Sequence, residues 1–176
     1  MFFMARKKNR NIVLLKKIDE LDKEINFNDF EYKEQFEHIC DLIPDKEKEK
    51  LNIEPIDLEK TEQKEGLVYI FVINDKIFKI GHTITSFKKR IQSYNCGKTE
   101  YRISGTNSTT NYFVLQSLLN IDKRVNIYAF FPKQPIYELF GKTYKDSFPP
   151  SKRAENIIIN DFLEKHKKKP IGCTQR

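Results

Sequence analysis

The sequence lacks tryptophan and has only three cysteines, Cys40, Cys96 and Cys173, among its 176 residues. Their odd number and the absence of any CxxC spacing argue against a disulfide framework and a zinc site, and they suit a reducing cytoplasm. No apolar run reaches the ~18 residues that a membrane-spanning helix needs, so we expect no membrane partner. The N-terminal MFFMARKKNR is too short in apolar residues for a signal peptide, and both Met1 and Met4 are candidate start residues.

Charge is abundant but unevenly distributed, with a formal net charge of +7. Residues 1–17 contain 6 basic and no acidic side chains, and residues 18–65 contain 7 basic and 17 acidic ones. Residues 66–150 contain 12 basic and 5 acidic side chains, and residues 151–176 contain 7 and 3. Positive charge is thus concentrated in the first arm, the middle region and the tail, where a polyanion can be held. The acidic stretch is expected to face away from any such partner.

The most apolar stretch of the chain is GLVYIFVINDKIFKIG, residues 66–81. It is rich in Val, Ile, Phe and Tyr, which fit the pleated, half-buried surface of a sheet. Asn74-Asp75 interrupts the stretch as a turn does between two strands. The pattern predicts a β-hairpin of Leu67–Ile73 and Ile77–Gly81. Two of its side chains, Tyr69 and Lys79, also have ordinary explanations, as a core aromatic and as an edge-strand charge.

Thr85 or Ser86 is predicted to cap a helix that ends before Gly97. Phe87, Ile91 and Tyr94 form its apolar face, and Arg90 shares that face. An arginine on the buried side of a helix usually has an anionic partner, which here includes a phosphate group. The alternative is that its stem packs while its charged head reaches solvent.

A last helix is predicted to begin at Ser151. Its apolar face carries Ile158, Ile159 and Phe162, and Glu155 extends that face towards the N-terminus. A carboxylate near a helix N-terminus is favoured by the helix dipole, which is the ordinary explanation. A carboxylate on an apolar face is also typical of a metal ligand, so both interpretations stay open.

The remaining elements are predicted from periodicity and turn residues. Before the hairpin we expect a basic arm, helices over Ile12–Ile25 and from Asn28 or Asp29 to about Leu42, and a charged connector over residues 45–65. After the first helix that follows the hairpin we expect a polar loop over residues 98–110, a helix over Asn111–Leu119 and a third strand over Val125–Phe131. Four aromatic side chains in residues 132–150 predict that this irregular segment packs against the rest of the protein. Residues 165–176 are basic and expected to fray.

Four short motifs occur in order along the second part of the chain. They are GLVY (Gly66–Tyr69), KIG (Lys79–Gly81), FKKRIQSY (Phe87–Tyr94) and SKRAENIII (Ser151–Ile159). This series resembles the GIY-YIG nucleases, with a lysine where that family usually has the second tyrosine. The lysine, the short chain and the segment NYFVLQSLL resemble the type II restriction endonuclease branch, including a small member that reads TCNGA. The resemblance covers Gly66 to about His166.

The resemblance implies an α+β fold, in which the hairpin and the third strand form a small antiparallel sheet flanked by helices. The resemblance places a nuclease core from residue 66 onwards, and charge and periodicity add a basic tail up to residue 176 and predict a basic arm and helical extension over residues 1–65.

The resemblance also assigns roles to side chains of the motifs. Glu155 would hold one divalent ion, Mg²⁺ or Mn²⁺, and Arg90 would stabilise the scissile phosphate. Tyr69 would accept a proton from the attacking water, helped by Lys79 or His82, because an unperturbed tyrosine with a pKa of ~10 is a poor base. Tyr94 would hydrogen-bond the phosphate.

These roles require Tyr69 and Lys79 to share one face of the hairpin. A strict two-residue turn with regular pairing would place them on opposite faces. We therefore predict either a three-residue loop, Asn74–Lys76, or a bulge, so that Phe71 pairs with Lys79.

The predicted function is site-specific cleavage of double-stranded DNA by a homodimer, with one active site for each strand. Base contacts are predicted from the arm and the polar loop, and the candidate residues are Arg6, Lys7, Lys8, Arg10, Arg102, Asn107 and Ser108. Two alternatives stay open: a nucleic-acid-binding module that kept the scaffold without the chemistry, and a repair or homing nuclease of the same family.

Overall fold

The computed structural model describes residues 17–96, 109–146 and 148–173. Seven strands and four α-helices are present in these ranges. The strands are β1 (Glu37–Asp45), β2 (Lys50–Pro55), β3 (Leu67–Ile73), β4 (Lys76–Thr83), β5 (Val125–Phe130), β6 (Ile136–Leu139) and β7 (Lys142–Lys145). The helices are α1 (Leu58–Glu62), α2 (Phe87–Asn95), α3 (Thr109–Ile121) and α4 (Ser151–His166). No helix in these ranges is long and apolar enough to cross a membrane.

Five strands form one antiparallel sheet in the order β2-β1-β5-β3-β4. Helices α2 and α3 cover one face, where Phe87 and Leu115 join the core, and α4 covers the other, where Phe162 is buried. Because β3 lies inside this sheet and is covered on both faces, all seven of its residues are buried. That burial explains its continuous apolar sequence. The predicted fold class, an α+β protein with an antiparallel sheet flanked by helices, is confirmed.

The hairpin has the register that a shared site requires. Asn74 and Asp75 form the turn with left-handed φ values of 49° and 62°, which these two residue types tolerate better than most. Beyond the turn a bulge shifts the pairing, so that Phe71 lies opposite Lys79 and Tyr69 lies opposite Gly81. Because side chains alternate along a strand, Tyr69 and Lys79 project from the same face. The predicted bulge is therefore confirmed.

The helix predicted from Asn28 or Asp29 to Leu42 is wrong. Short 3₁₀ helices occupy Phe27–Asp29 and Lys33–Gln35, and Glu37–Asp45 is strand β1, which pairs with β2 and β5. Phe30 and Phe36, which suggested a helical face, instead pack with Phe162 of α4 and with Phe130 of β5. Pairing with a strand that lies far away in sequence overrides the local helical spacing.

The N-terminal part contributes to the sheet rather than forming a purely helical extension. The described end of the helix predicted over residues 12–25 is a 3₁₀ helix, Lys17–Lys23. It is followed by extended chain in which Ile25 accepts a backbone hydrogen bond from Ile77, at 2.9 Å. The connector predicted over residues 45–65 contains β2 and α1. The division of the chain into two regions near residue 65 stays a prediction, with strands from both regions in one sheet.

The segment between β5 and α4 does not pack down as predicted. Strands β6 and β7 form a separate two-stranded hairpin whose eight residues are all exposed. Tyr137 stacks on Tyr144 across the two strands, with ring centroids 6.0 Å apart, and Phe140 at the tip is 100% exposed. Local cross-strand pairing and a Phe140-Gly141 turn with positive φ account for this hairpin without a core contact.

Candidate active site

Tyr69, Arg90 and Tyr94 meet on the face of the sheet that α2 covers. The hydroxyl of Tyr69 lies 2.7 Å from the hydroxyl of Tyr94, and Nε of Arg90 donates to it at 3.0 Å. The guanidinium carbon of Arg90 lies 4.8 Å from the ring centroid of Tyr94. Both tyrosines are fully buried, with exposed fractions of 0% and 1%. One strand and one helix thus place a fixed cation against two phenol groups.

Helix α2 is oriented by local sequence signals. Ser86 caps it by accepting a hydrogen bond from the backbone N–H of Lys89, as the sequence predicts. Gly81 provides the space for the phenol, because a Cβ at this position would lie 2.6 Å from the hydroxyl oxygen of Tyr69. The glycine of the KIG motif is therefore required by close packing against Tyr69.

Burial dominates the electrostatics of this cluster. It raises the pKa of Tyr69 well above its usual value, and the neighbouring Tyr94 raises it further, whereas the charges of Arg90 and Lys79 lower it. Burial also raises the pKa of Tyr94. For Arg90, burial lowers the pKa, but the two phenols raise it more, so the guanidinium stays charged. Tyr69 is consequently neutral at physiological pH in this state of the protein.

Glu155 lies in a second cluster with His82 and Lys152. One carboxylate oxygen, Oε2, lies 2.9 Å from Nδ1 of His82 and accepts a hydrogen bond from Nζ of Lys152 at 2.7 Å. The glutamate is 1% exposed. Burial raises its pKa, but the hydrogen bonds from His82 and Lys152 and their charges lower it more, so that the net pKa lies below the usual value. Glu155 is thus a buried, ionised carboxylate.

The first residue of helix α4, Ser151, attaches the helix to the end of the hairpin, one turn before Glu155. The Ser151 hydroxyl, which is buried, donates to the backbone carbonyl of Thr83 at 3.0 Å. Thr83 follows His82 directly, so this bond sets the distance between the histidine and the glutamate. The sequence predicts Ser151 as the cap of this helix, whereas the structure places Pro150 there and gives Ser151 this bridging bond.

The two clusters approach β4 from opposite faces. His82 lies opposite Val68, and Tyr69 lies opposite Gly81, so His82 and Tyr69 belong to alternate faces of the hairpin. Lys79 is 2% exposed, and its ammonium donates to the carbonyl of Gly172 at 3.0 Å. The described contacts therefore form two groups, Tyr69 with Arg90 and Tyr94, and His82 with Glu155. Lys79 is instead bound by Gly172 of the C-terminal segment.

Two further residues belong to the site although the sequence reasoning did not identify them. Lys152 is three residues before Glu155 on one helix, a spacing that places the two side chains together and was available as a signal. Gly172 lies in a segment that was expected to fray, and no local pattern indicates its contact with Lys79.

The predicted base-contacting residues cannot be placed against this site. Arg6, Lys7, Lys8 and Arg10 of the arm, and Arg102, Asn107 and Ser108 of the polar loop, lie outside the described residues.

Comparison with known proteins decides the family. A solved structure described as restriction endonuclease HPY188I in complex with product DNA is 64% identical to this chain, covers 90% of this chain and 91% of its own, and superposes with a TM-score of 0.66. The chain belongs to this restriction endonuclease family. A solved structure of a mutant of bacteriophage T4 EndoII is 18% identical, covers 79% of this chain and 95% of its own, and has a TM-score of 0.54, which shows a shared fold. No family model and no curated protein sequence matches.

Proposed function

We propose that the protein is a type II restriction endonuclease of the GIY-YIG kind, which hydrolyses duplex DNA at a short specific sequence. The observation that supports this most strongly is the 64% identity to a restriction endonuclease over 90% of the chain. The side-chain geometry supports the same chemistry, because a cation, two phenols and an ionised carboxylate surround one end of the hairpin. A recognition site of TCNGA and a cytoplasmic location stay predictions.

Glu155 fits the role of a ligand for Mg²⁺ or Mn²⁺. Its carboxylate is buried and its pKa is held low, so that it offers a negatively charged oxygen donor at neutral pH. Among the described residues no group of three or more His, Cys, Asp or Glu side chains could hold a metal. One carboxylate, completed by water and phosphate oxygens, suits Mg²⁺, which keeps several waters. When bound, the ion would supply charge neutralisation at the leaving side of the phosphate.

The other side chains divide the remaining tasks. Arg90, which stays charged beside Tyr69, would hold the scissile phosphate and stabilise its additional negative charge. Tyr94 would donate a hydrogen bond to the same phosphate. His82 would orient the carboxylate of Glu155 through Nδ1. The role of His82 uses a contact that the structure already shows, whereas Arg90 would reach the phosphate from its position beside Tyr69.

Tyr69 would take the proton of the attacking water, and its burial sets what this requires. Because burial raises the pKa of the phenol, a neighbouring cation has to stabilise the phenolate form before Tyr69 can act as a base. Lys79 is the better candidate of the two, since its charge lowers the pKa of Tyr69. His82 makes its described contact with Glu155 instead.

Cleavage of both strands requires two copies of this site. A two-fold DNA sequence matches a two-fold protein dimer, so we propose a homodimer on DNA. The β6–β7 hairpin offers a surface for it, because Ile136, Leu139 and Phe140 are 68%, 48% and 100% exposed. A two-stranded hairpin is marginally stable alone in water, and a second copy of the chain would cover its apolar side chains.

The test is incubation of supercoiled plasmid with the purified protein in Mg²⁺, in Mn²⁺ and in EDTA. We expect discrete linear fragments with either metal and intact plasmid in EDTA. Intact plasmid under all three conditions, with DNA binding retained, would instead support the alternative of a binding module without chemistry.

A further inference from the structure

The C-terminal segment, residues 170–173, covers the exposed edge of the catalytic hairpin. Within the described residues β4 is the last strand of the sheet, and an isolated bridge between Asn26 and Lys76 pairs with its outer side near the turn. The N–H of Gly172 donates to the carbonyl of Phe78 at 2.8 Å. The N–H of Ile80 donates to the thiol sulfur of Cys173 at 3.3 Å, and that thiol lies 3.3 Å from the carbonyl of Ile80. The segment, which the sequence suggested would fray, is therefore tied to β4.

Lys79 lies between these two anchor points and is held by the same segment. Its side chain is 2% exposed, and Nζ donates to the carbonyl of Gly172 at 3.0 Å. Placing an ammonium group in a buried position is costly unless an acceptor is provided. The Gly172 carbonyl provides that acceptor and so fixes the direction in which the side chain extends.

Only glycine permits this approach. A Cβ on residue 172 would lie 2.9 Å from both Cε1 and the backbone carbonyl oxygen of Phe78, and 3.0 Å from Cβ of Lys79. The backbone oxygen cannot move without disturbing β4. Any larger residue would push the segment outwards and lengthen the hydrogen bond to Lys79.

The position of Lys79 matters to the catalytic tyrosine. Lys79 pairs with Phe71 and so projects from the face that carries Tyr69, and its charge lowers the pKa of that tyrosine against the effect of burial. Lys79 and Cys173 also line a pocket of ≈ 160 Å³ against α4, together with Lys152, the partner of Glu155. The segment thus touches the region between the two clusters of the site.

We propose that residues 170–173 are a positioning element for catalysis, in which the Gly172 carbonyl holds the Lys79 ammonium for its action on Tyr69. This inference rests on the proposed nuclease function. In this proposal Gly172 contacts neither the substrate nor the metal, and it acts only through Lys79.

The test compares two truncations of the full chain. One ends after Lys169 and removes the segment, and the matched control ends after Cys173 and removes only residues 174–176. We expect the first to lower the single-turnover cleavage rate in Mg²⁺ by on the order of 10²-fold, the lower range for a proton-transfer group. We expect DNA affinity in EDTA to stay within about three-fold of the full chain, and the control to cleave at the normal rate.

A double-mutant cycle separates positioning from general stability. In a Lys79→Met background, the truncation after Lys169 should cost no further rate, because the group that it positions is already absent. The rising limb of the pH–rate profile should move to higher pH in the truncated enzyme and stay in place in the control. Gly172→Ala provides a milder perturbation with the same expected direction, if the truncated chain folds poorly.

A readout without cleavage keeps the two proposals apart. The ¹⁵N-labelled Lys79 ammonium, buried and hydrogen-bonded, should give a slowly exchanging NMR signal in the full chain and in the control, and none after truncation at Lys169. Persistence of this signal in the truncated protein, or an equal rate loss in both backgrounds, would overturn the positioning role. An inactive full-length protein that shows the expected NMR pattern would overturn the nuclease proposal while leaving the contact established.

Discussion

Substitution of Glu155 by glutamine removes one negative charge and keeps the size of the side chain. In the protein the carboxylate is 1% exposed, and its Oε2 is shared by Lys152 at 2.7 Å and His82 at 2.9 Å. The amide of glutamine can still accept a hydrogen bond, but it offers no charge to a metal ion or to these two partners. We therefore expect Glu155→Gln to abolish cleavage and to leave specific DNA binding intact, because a repelling charge is lost.

The stability effect follows from the same contacts. A hydrogen bond to a charged group contributes about 1.5–3 kcal/mol to the free energy of unfolding. The ion pair with Lys152 contributes less, about 0–1 kcal/mol, because the lysine side chain is half exposed to solvent. We expect a loss of about 1–3 kcal/mol in the free energy of unfolding at pH 7, and about 2–4 °C in the melting temperature for each kcal/mol.

The pH dependence of this loss has a defined sign. The folded-state pKa of Glu155 lies below the unfolded value of 4.5, so its stabilisation is fully present above that value. It disappears as the pH falls through the lowered folded pKa. The difference in melting temperature between the wild type and Glu155→Gln should therefore be full at pH 7 and shrink in strong acid.

The assay combines plasmid cleavage, DNA binding in EDTA and thermal melting. Glu164→Gln is the matched control, since it removes the same charge from an exposed position of α4. We expect this control to cleave normally and to melt with the wild type. Cleavage by Glu155→Gln in Mg²⁺ at a rate near that of the control would refute the assignment of the metal ligand.

Three other changes test separate parts of the account. Arg90→Ala should lower the cleavage rate by on the order of 10²-fold or more, as lost oxyanion donors do, and a near-normal rate would return Arg90 to a packing role. Deletion of the residues before Asn11 should weaken specific DNA binding more than it lowers the melting temperature, and unchanged affinity across a salt series would leave base reading to the polar loop. Phe140→Ser with Leu139→Ser should shift the DNA-bound protein from dimer to monomer in sedimentation, while a persistent dimer would exclude the β6–β7 hairpin as the interface.

The sequence predicts the central hairpin because several physical signals agree there. Apolar β-formers continue through both strands, and Asn74-Asp75 supplies residue types that tolerate a left-handed turn. The bulge that pairs Phe71 with Lys79 has no local signal, and its prediction depends only on the need of a shared site for Tyr69 and Lys79 on one face. The chemistry thus determines the register where periodicity leaves it open.

Two of the failures share one cause, which is dependence on partners that lie far away in sequence. Residues 37–45 form a strand because β2 and β5 flank them, and the local spacing of aromatics gives no hint of that pairing. The C-terminal segment is ordered because the edge of β4 accepts it. The β6–β7 hairpin failed for a different reason. Its aromatic residues suggested burial, but in the structure all residues of both strands are exposed.

The candidate site is predictable in its residue types but not in its connections. Helix spacing predicts that Arg90 and Tyr94 share a face, the family resemblance adds Tyr69 to the same site, and their hydroxyl and guanidinium groups do meet. The apolar stretch around Tyr69 signals that it is buried, but the packing of Phe71 and Phe87 against its ring, which contributes to that burial and so to the raised pKa, has no signal in the sequence.

The most direct test of the central claim is sequencing of the ends that the protein produces from a fully sequenced plasmid in Mg²⁺. The account predicts that every end carries the same short sequence, that both strands are cut at each site, and that no ends appear in EDTA. Ends distributed over unrelated sequences, or an intact plasmid in the presence of folded, DNA-bound protein, would contradict it.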